Sequence, residues 1–137
     1  MRPLVSAVLP GNIRQKELHM DKNVIVLFEV TVKDDKAEAF NEISDMIRQN
    51  MSAAEGLLHF EAFSSLTTKN KIFSIGVWKD EESVAKWRNF SLHRMAQTKG
   101  RKEFFSDYTL RVVSAVRTYS MTDRAEAPED SNQYFGL

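Results

Sequence analysis

One stretch constrains this chain more than any other: Val24-Ile-Val-Leu-Phe-Glu-Val-Thr-Val32. Side chains of an extended backbone alternate between two faces. Val24, Val26, Phe28, Val30 and Val32 therefore make one uniformly apolar face, and Ile25, Leu27, Glu29 and Thr31 make a mixed one. The first half is apolar on both sides, so the strand needs a layer of protein above and below it. A single helical layer can cover only one side.

The residues that follow supply that layer. Lys33-Asp34-Asp35-Lys36 turns the chain, and Asp35 with Glu38 three positions later has the form of a helix-capping box. Phe40, Ile43, Met46/Ile47 and Met51 then recur at helical spacing. Gly56 opens a second strand over Leu57–Ser64, the polar Thr67-Thr68-Lys69-Asn70 makes a turn, and Ile72–Trp78 is a third strand in hairpin relation. Asp80 is the next N-cap, with Glu81 and Glu82 where the helix dipole favours them. Val84, Trp87 and either Phe90 or Ser91 form its buried stripe. Ser91 is placed to cap a second segment, Leu92–Lys99, which Gly100 closes at the position glycine prefers. After Arg101–Asp107, the alternating run Tyr108–Tyr119 predicts a long final strand.

The order is β-α-β-β-α-β with a divided second helix, an α+β, ferredoxin-like arrangement around a four-stranded antiparallel sheet. Right-handed crossovers place both helical layers on one face. Phe73, Ile75 and Val77 project to one side of the third strand while Ile72 and Trp78 project to the other. The uncovered face is too apolar for a monomer surface, which predicts a twofold homodimer with sheets packed face to face. Residues 1–22 read as an N-terminal arm, 23–121 as the domain, and 122–137 as a polar, acidic tail containing Tyr134 and Phe135.

Composition narrows the function. The 19 basic and 19 acidic side chains cancel, which argues against a nucleic-acid partner. There is no cysteine, so disulfides, thiolate metal sites and cysteine nucleophiles are excluded. No apolar run approaches the ~20 residues of a membrane helix. Arg2 and the apolar Pro3–Leu9 are broken by Pro10-Gly11 and followed by Lys16, Glu17 and Asp21, an extension rather than a signal peptide. The expected location is the cytoplasm.

Gly-rich phosphate loops, nucleophile elbows and histidine pairs at metal spacing are all missing. His19, His59 and His93 stand far apart, so no metal site is expected. The informative stretch runs from Trp78 through Trp87 and Arg88 to His93 and Gln97. Apolar spacing alone accounts for Trp87 as a core residue, and Trp78 at a strand end has the same explanation. Arg88, Arg94 and Arg101 are solvated by default, and His59, Glu61 and Arg111 can pair across the sheet or the dimer interface. His93 falls in the first turn of a helix, where the dipole disfavours a cation. A neutral imidazole there can accept a proton or hydrogen-bond a phenolic ligand.

Gly56-Leu-Leu-His-Phe-Glu, the strand ending in Trp78, Asp80-Glu-Glu-Ser-Val-Ala-Lys-Trp87-Arg88, His93, Gly100-Arg101 and the closing Tyr108–Tyr119 strand together resemble the antibiotic biosynthesis monooxygenase family. The resemblance covers about Asn23 to Met121 and implies a dimeric α+β barrel. It also implies cofactor-independent oxygenation of a phenol- or quinol-type aromatic molecule by dioxygen. In that scheme His93 is the base or anion partner. Trp87 and Trp78 wall the pocket, joined by Arg88, Phe90, Gln97 and Tyr108. Haem-degrading relatives use a first-strand Asn and a His ten residues after the helical Trp. Here Phe28-Glu29 occupies the strand position and His93 follows Trp87 by six, which disfavours haem. A non-catalytic ligand-binding dimer is the further alternative.

Overall fold

The computed structural model describes residues 23–137; the expected arm over 1–22, with His19, lies outside the described residues. Strand β1 (Val24–Val32) leads through a short 3-10 turn (Asp34–Lys36) into helix α1 (Ala37–Met51). Strands β2 (Leu57–Ser64) and β3 (Lys71–Trp78) form the hairpin, and the divided helix comprises α2 (Glu81–Asn89) and α3 (Ser91–Lys99). A π turn (Gly100–Phe104) leads to β4 (Phe105–Ser114), and a short helix α4 (Glu129–Phe135) lies near the C-terminus. The four strands form one antiparallel sheet in the order β2-β3-β1-β4. This is the predicted ferredoxin-like α+β arrangement.

Register assigns the two faces. Val24 pairs with Trp78 and Ser114, Val26 with Gly76 and Val112, Phe28 with Ser74 and Leu110, and Val30 with Ile72 and Tyr108. That face carries the helices: Val24, Trp78 and Val84 form a buried cluster, with Val26, Ala54, Leu57 and Trp87 packed against it. Gly56 lets the chain turn from α1 into β2 at φ 83°, and a Cβ there would sit 2.0 Å from the Ser83 hydroxyl. Both constraints demand glycine.

The opposite face shows Ile25, Leu27, Phe73 and Ile75 half-buried and Phe63 exposed. At its middle Glu29 binds Lys71 of β3 at 3.1 Å and Arg111 of β4 at 2.5 Å. Hydrogen bonds from Arg111 and then Lys71 hold the Glu29 carboxyl below its ordinary value. Arg111 thus pairs across the sheet, as expected, while His59 lies 3.9 Å from Glu61 of its own strand.

The structure corrects four local readings. Asp35 does not cap α1: it lies inside the 3-10 turn, and the N-cap is Lys36, which makes no side-chain cap bond. Ser91 is the first helical residue of α3 rather than its cap; Phe90, extended at φ −62° and ψ 131°, separates the two helices by backbone conformation alone. Gly100 does not terminate α3 in a left-handed conformation. It is helical (φ −57°, ψ −53°), and the chain continues through the π turn. Glycine is needed there because a Cβ would meet Phe105 Cε2 at 2.3 Å. The last strand is Phe105–Ser114 rather than Tyr108–Tyr119. Phe105 pairs with Val32 past an irregularity in the ladder, so pairing begins inside the segment that looked like a connection.

Candidate functional site

The divided helix builds an aromatic ladder. Asp80 accepts a hydrogen bond from the Ser83 N–H at 2.8 Å and starts α2 as predicted. Both that N–H and the Ser83 hydroxyl hold the Asp80 carboxyl below its ordinary value. One face of α2 then brings Trp87 over Trp78, whose indole is 3 % exposed, with ring centres 6.3 Å apart. The break at Phe90 turns the chain so that residues from both helices meet Trp87. Phe90 stacks on it at 5.6 Å and His93 at 5.0 Å, with interplanar angles of 24° and 26°.

Gln97, one turn after His93, fixes the imidazole. Its Oε1 accepts from the Arg94 guanidinium at 2.9 Å, and its Nε2 donates to the Arg88 carbonyl at 3.1 Å. Those two bonds set the amide's orientation, so the contact of Nε2 with His93 Nδ1 at 3.0 Å is a donation to the ring. Nδ1 therefore carries the lone pair, and the proton of the neutral ring sits on Nε2. Burial pushes the His93 pKa below its ordinary value; the Trp87 carbonyl pulls the other way, and the Arg94 charge adds to the lowering. Arg94 is itself anchored by Asn89 Oδ1 at 2.7 Å.

The structure thus brings Trp78, Trp87, Phe90, His93 and Gln97 into one cluster. Arg88 joins it through its backbone carbonyl, its side chain being on the exposed surface. Tyr108 does not join it. Its ring packs 6.0 Å from both Phe28 and Phe105, and its hydroxyl accepts from Arg101 at 2.6 Å.

Between these two clusters the register lays an apolar floor on the helix side of the sheet: Val26 beside Val112 and Phe28 beside Leu110. The helices leave its β4 half uncovered, with Leu110 51 % and Val112 46 % exposed. The floor is thus an open apolar strip that runs from Val26, packed with Trp87 on the Val24–Trp78–Val84 cluster, to Phe28, which meets Phe105 and Tyr108. Phe28, Leu110, Val112 and Phe105 were not among the predicted site residues. The period-two alternation of β4, already visible as Tyr108, Leu110 and Val112, was the signal for three members of this surface.

Two hollows of about 310 and 270 Å³ lie elsewhere, around the β2–β3 turn, and share Ser64, Ser65, Thr68 and Lys71. None of the predicted site residues lines either. Among the described residues no cluster of His, Asp and Glu is arranged to hold a metal ion, and no helix is long and apolar enough to cross a membrane.

The chain matches the antibiotic biosynthesis monooxygenase family over residues 23–99, more than half its length. It is 32% identical over 87 residues to a jasmonate monooxygenase of Pyricularia oryzae, a match covering 64% of this chain and 40% of that protein. The chain thus spans about two fifths of that relative's length. The fold is similar to that of SnoaB, a cofactor-independent oxygenase from Streptomyces nogalater. Here the TM-score is 0.61 and the identity 18%, over 71% of this chain and 96% of that one. A Pseudomonas aeruginosa protein superposes with a TM-score of 0.63 at 14% identity, over 72% of this chain and 99% of that one.

Proposed function

The chain belongs to the antibiotic biosynthesis monooxygenase family, and from that premise we propose that it oxygenates a small phenol- or quinol-type molecule in the cleft between the divided helix and β4. The observation that carries this reading is His93, stacked on Trp87 and held by Gln97 with its proton on Nε2. A neutral imidazole beside the aromatic wall of Trp87 and Phe90 stabilises a phenolate by donating its N–H to it in place of the Trp87 carbonyl, where water would otherwise have to. The electron-rich anion then supplies the electrons that reduce dioxygen. A ring C–H carbon becomes C=O as the phenolic C–O becomes the second quinone carbonyl; one oxygen atom ends on that ring carbon and the other leaves as water with the ring hydrogen and the phenolic proton. The protein's part is orientation, desolvation and anion stabilisation.

His93 is thereby cast as anion partner, with Trp87 and Phe90 as aromatic wall and Trp78 as the buried support behind them. A haem fits these residues poorly. The His93 lone pair is taken by Gln97, the ring lies flat on Trp87, and Phe28 projects from the first strand where haem-degrading relatives place an Asn. The apolar open face of the sheet supports a twofold dimer, which sedimentation would report as twice the chain mass. The cysteine-free composition supports a reducing compartment such as the cytoplasm.

Oxygen-uptake measurement over a panel of quinols and alicyclic keto acids tests the reading, the second class chosen because of the jasmonate monooxygenase relative. The expected result is uptake with a quinol that falls by about 100-fold or more in His93→Ala, the usual scale for losing a proton-handling group. Trp87→Phe should lower it less. Uptake unchanged in both variants would place the reaction elsewhere.

A further inference from the structure

The C-terminal segment has a defined shape and, among the described residues, an exposed apolar face. Ser120 Oγ accepts from the N–H groups of Thr122 and Asp123, at 3.3 and 2.8 Å. Arg124 then acts as a bracket: Nε donates to Asn132 Oδ1 and a guanidinium N–H to the Ser120 carbonyl, both at 3.1 Å, while the charge lies 5.1 Å from the Tyr119 ring centre. Gly136, at φ 70°, closes α4, and the Leu137 N–H returns to the Asn132 carbonyl at 2.9 Å. A seven-residue helix has no stability of its own in water and needs a surface to pack on. Yet Tyr134 is 83%, Phe135 65% and Leu137 69% exposed. The two rings meet edge to face at 5.0 Å, forming a ready-made aromatic wedge.

The chain also carries a surface of matching character. The helix side of β4 exposes Tyr108, Leu110 and Val112, a strip of about 14 Å at ~3.4 Å per residue. It is bordered by the cation Arg101, which donates to the Tyr108 hydroxyl at 2.6 Å. The helix α4, about 10 Å long at ~1.5 Å per residue, begins with the anions Glu129 and Asp130. Shape, polarity and charge agree. Within one chain both surfaces are exposed, while the Ser120 turn and the Arg124 bracket hold the segment that carries the wedge in a defined shape.

We propose that the C-terminal segment is a strap exchanged between two copies of this chain, its Tyr134–Phe135–Leu137 wedge lying on the partner's β4 strip. That strip is the open half of the candidate cleft, so each copy closes the site of the other and excludes water from it. The closure rests on the functional reading above; the docking itself does not, and the two fail separately.

The absence of native cysteine makes the test direct. Full-length Leu110→Cys and Phe135→Cys chains, mixed and mildly oxidised, should give a disulfide between the two different chains on a non-reducing gel. Neither chain should do so alone. Reversal at Arg101→Glu, or at Glu129→Lys with Asp130→Lys, should cut the yield several-fold, and combining both reversals should restore it. A Leu110→Cys/Phe135→Cys double variant that cross-links only within itself would overturn the exchange. So would mixed chains that stay unlinked although each sediments and melts as the parent does. A cross-link in these variants together with no oxygen uptake by the unsubstituted chain would leave the strap standing and sink the oxygenase reading instead.

Discussion

Replacing Gln97 by Glu should invert the proton economy of His93. In the native protein the amide donates to Nδ1 at 3.0 Å, which requires a lone pair there and disfavours the imidazolium. A carboxylate in the same place accepts instead, and Arg94 can still donate to it. The attraction between a carboxylate and an imidazolium lies between ~1 kcal/mol for a solvent-screened pair and ~4 kcal/mol at 4 Å for an effective dielectric of 20. For this half-buried pair, with Arg94 competing for the same carboxylate, about 2 kcal/mol is a fair middle value. At 1.36 kcal/mol per decade that is roughly 30-fold tighter proton binding. Nitrogen-15 NMR titration of the ring, assigned against His93→Ala, should find the native Nε2–H tautomer and a pKa below the ordinary histidine value. In Gln97→Glu the proton should appear on Nδ1 and titrate above the native value. Native His93 favours the fold increasingly as pH rises through the interval below the ordinary histidine pKa, since the unfolded chain takes up the proton first. In the variant that pH dependence should change, because the folded-state pKa moves up from its lowered native value. A native Nδ1–H tautomer, or a titration that Gln97→Glu leaves unmoved, would refute the assignment of Gln97 as the residue that positions His93.

Two further outcomes follow from local geometry. Gly100→Ala places a methyl 2.3 Å from a Phe105 ring that cannot swing aside between Phe28, Phe40 and Tyr108. Overpacking of about 1–3 kcal/mol should outweigh the helix-propensity gain of up to ~1 kcal/mol, and adding Phe105→Leu should recover the loss in urea melts; a fully stable single variant would show that glycine is not required. Asp80→Asn should retain the cap to Ser83 yet flatten the acid limb of the stability profile. The native carboxylate contributes above the ordinary carboxylate range and loses that contribution as pH falls through its lowered folded value, so thermal melts that decline equally in both proteins would contradict it.

The sheet and both helical layers were legible because period-two and period-3.6 patterns are long and unbroken from Val24 to Trp87. What failed were decisions between equivalent local chemistries. Ser91 looked like a cap because serine caps well, but Phe90 breaks the helix by its own backbone angles and takes the cap position, so Ser91 is already helical. Gly100 looked like a helix end because glycine often is one. Its real constraint, the Phe105 ring, is a contact between the π turn and the strand that follows it, which no helix-end rule anticipates. The predicted site shows the same division. Trp87, His93 and Gln97 come together because one short, broken helix carries them, a spacing the sequence displays. Tyr108 was placed in that pocket through the family resemblance, yet its ring packs on Phe28 and its hydroxyl is held by Arg101. The floor between the clusters arises from the pairing of β1 with β4, a long-range fact visible in sequence only as two separate alternations.

Protonation distinguishes the cleft from the hollows at the β2–β3 turn. Three groups in the described chain have clearly displaced pKa values. Glu29 and Asp80 are displaced toward the charged form by partners that bind it: two cations across the sheet, and a helix N-terminus. Such groups are held still by their charge and serve the fold. His93 is displaced the opposite way, burial keeping it neutral against the pull of the Trp87 carbonyl. Neutrality at the edge of an apolar surface stabilises nothing by itself; it leaves a group able to share or take up a proton when an anion arrives. The first hollow is lined by Glu29, already committed to Lys71 and Arg111, by Ser64, Ser65, Thr67 and Thr68, and by the rings of Phe63 and Phe73. Its one carboxylate is bound by two cations, which leaves it no free base. A ring that must lose a proton before it meets dioxygen is better matched by the aromatic ladder with its one uncharged imidazole and by the apolar Val26–Phe28–Leu110–Val112 floor.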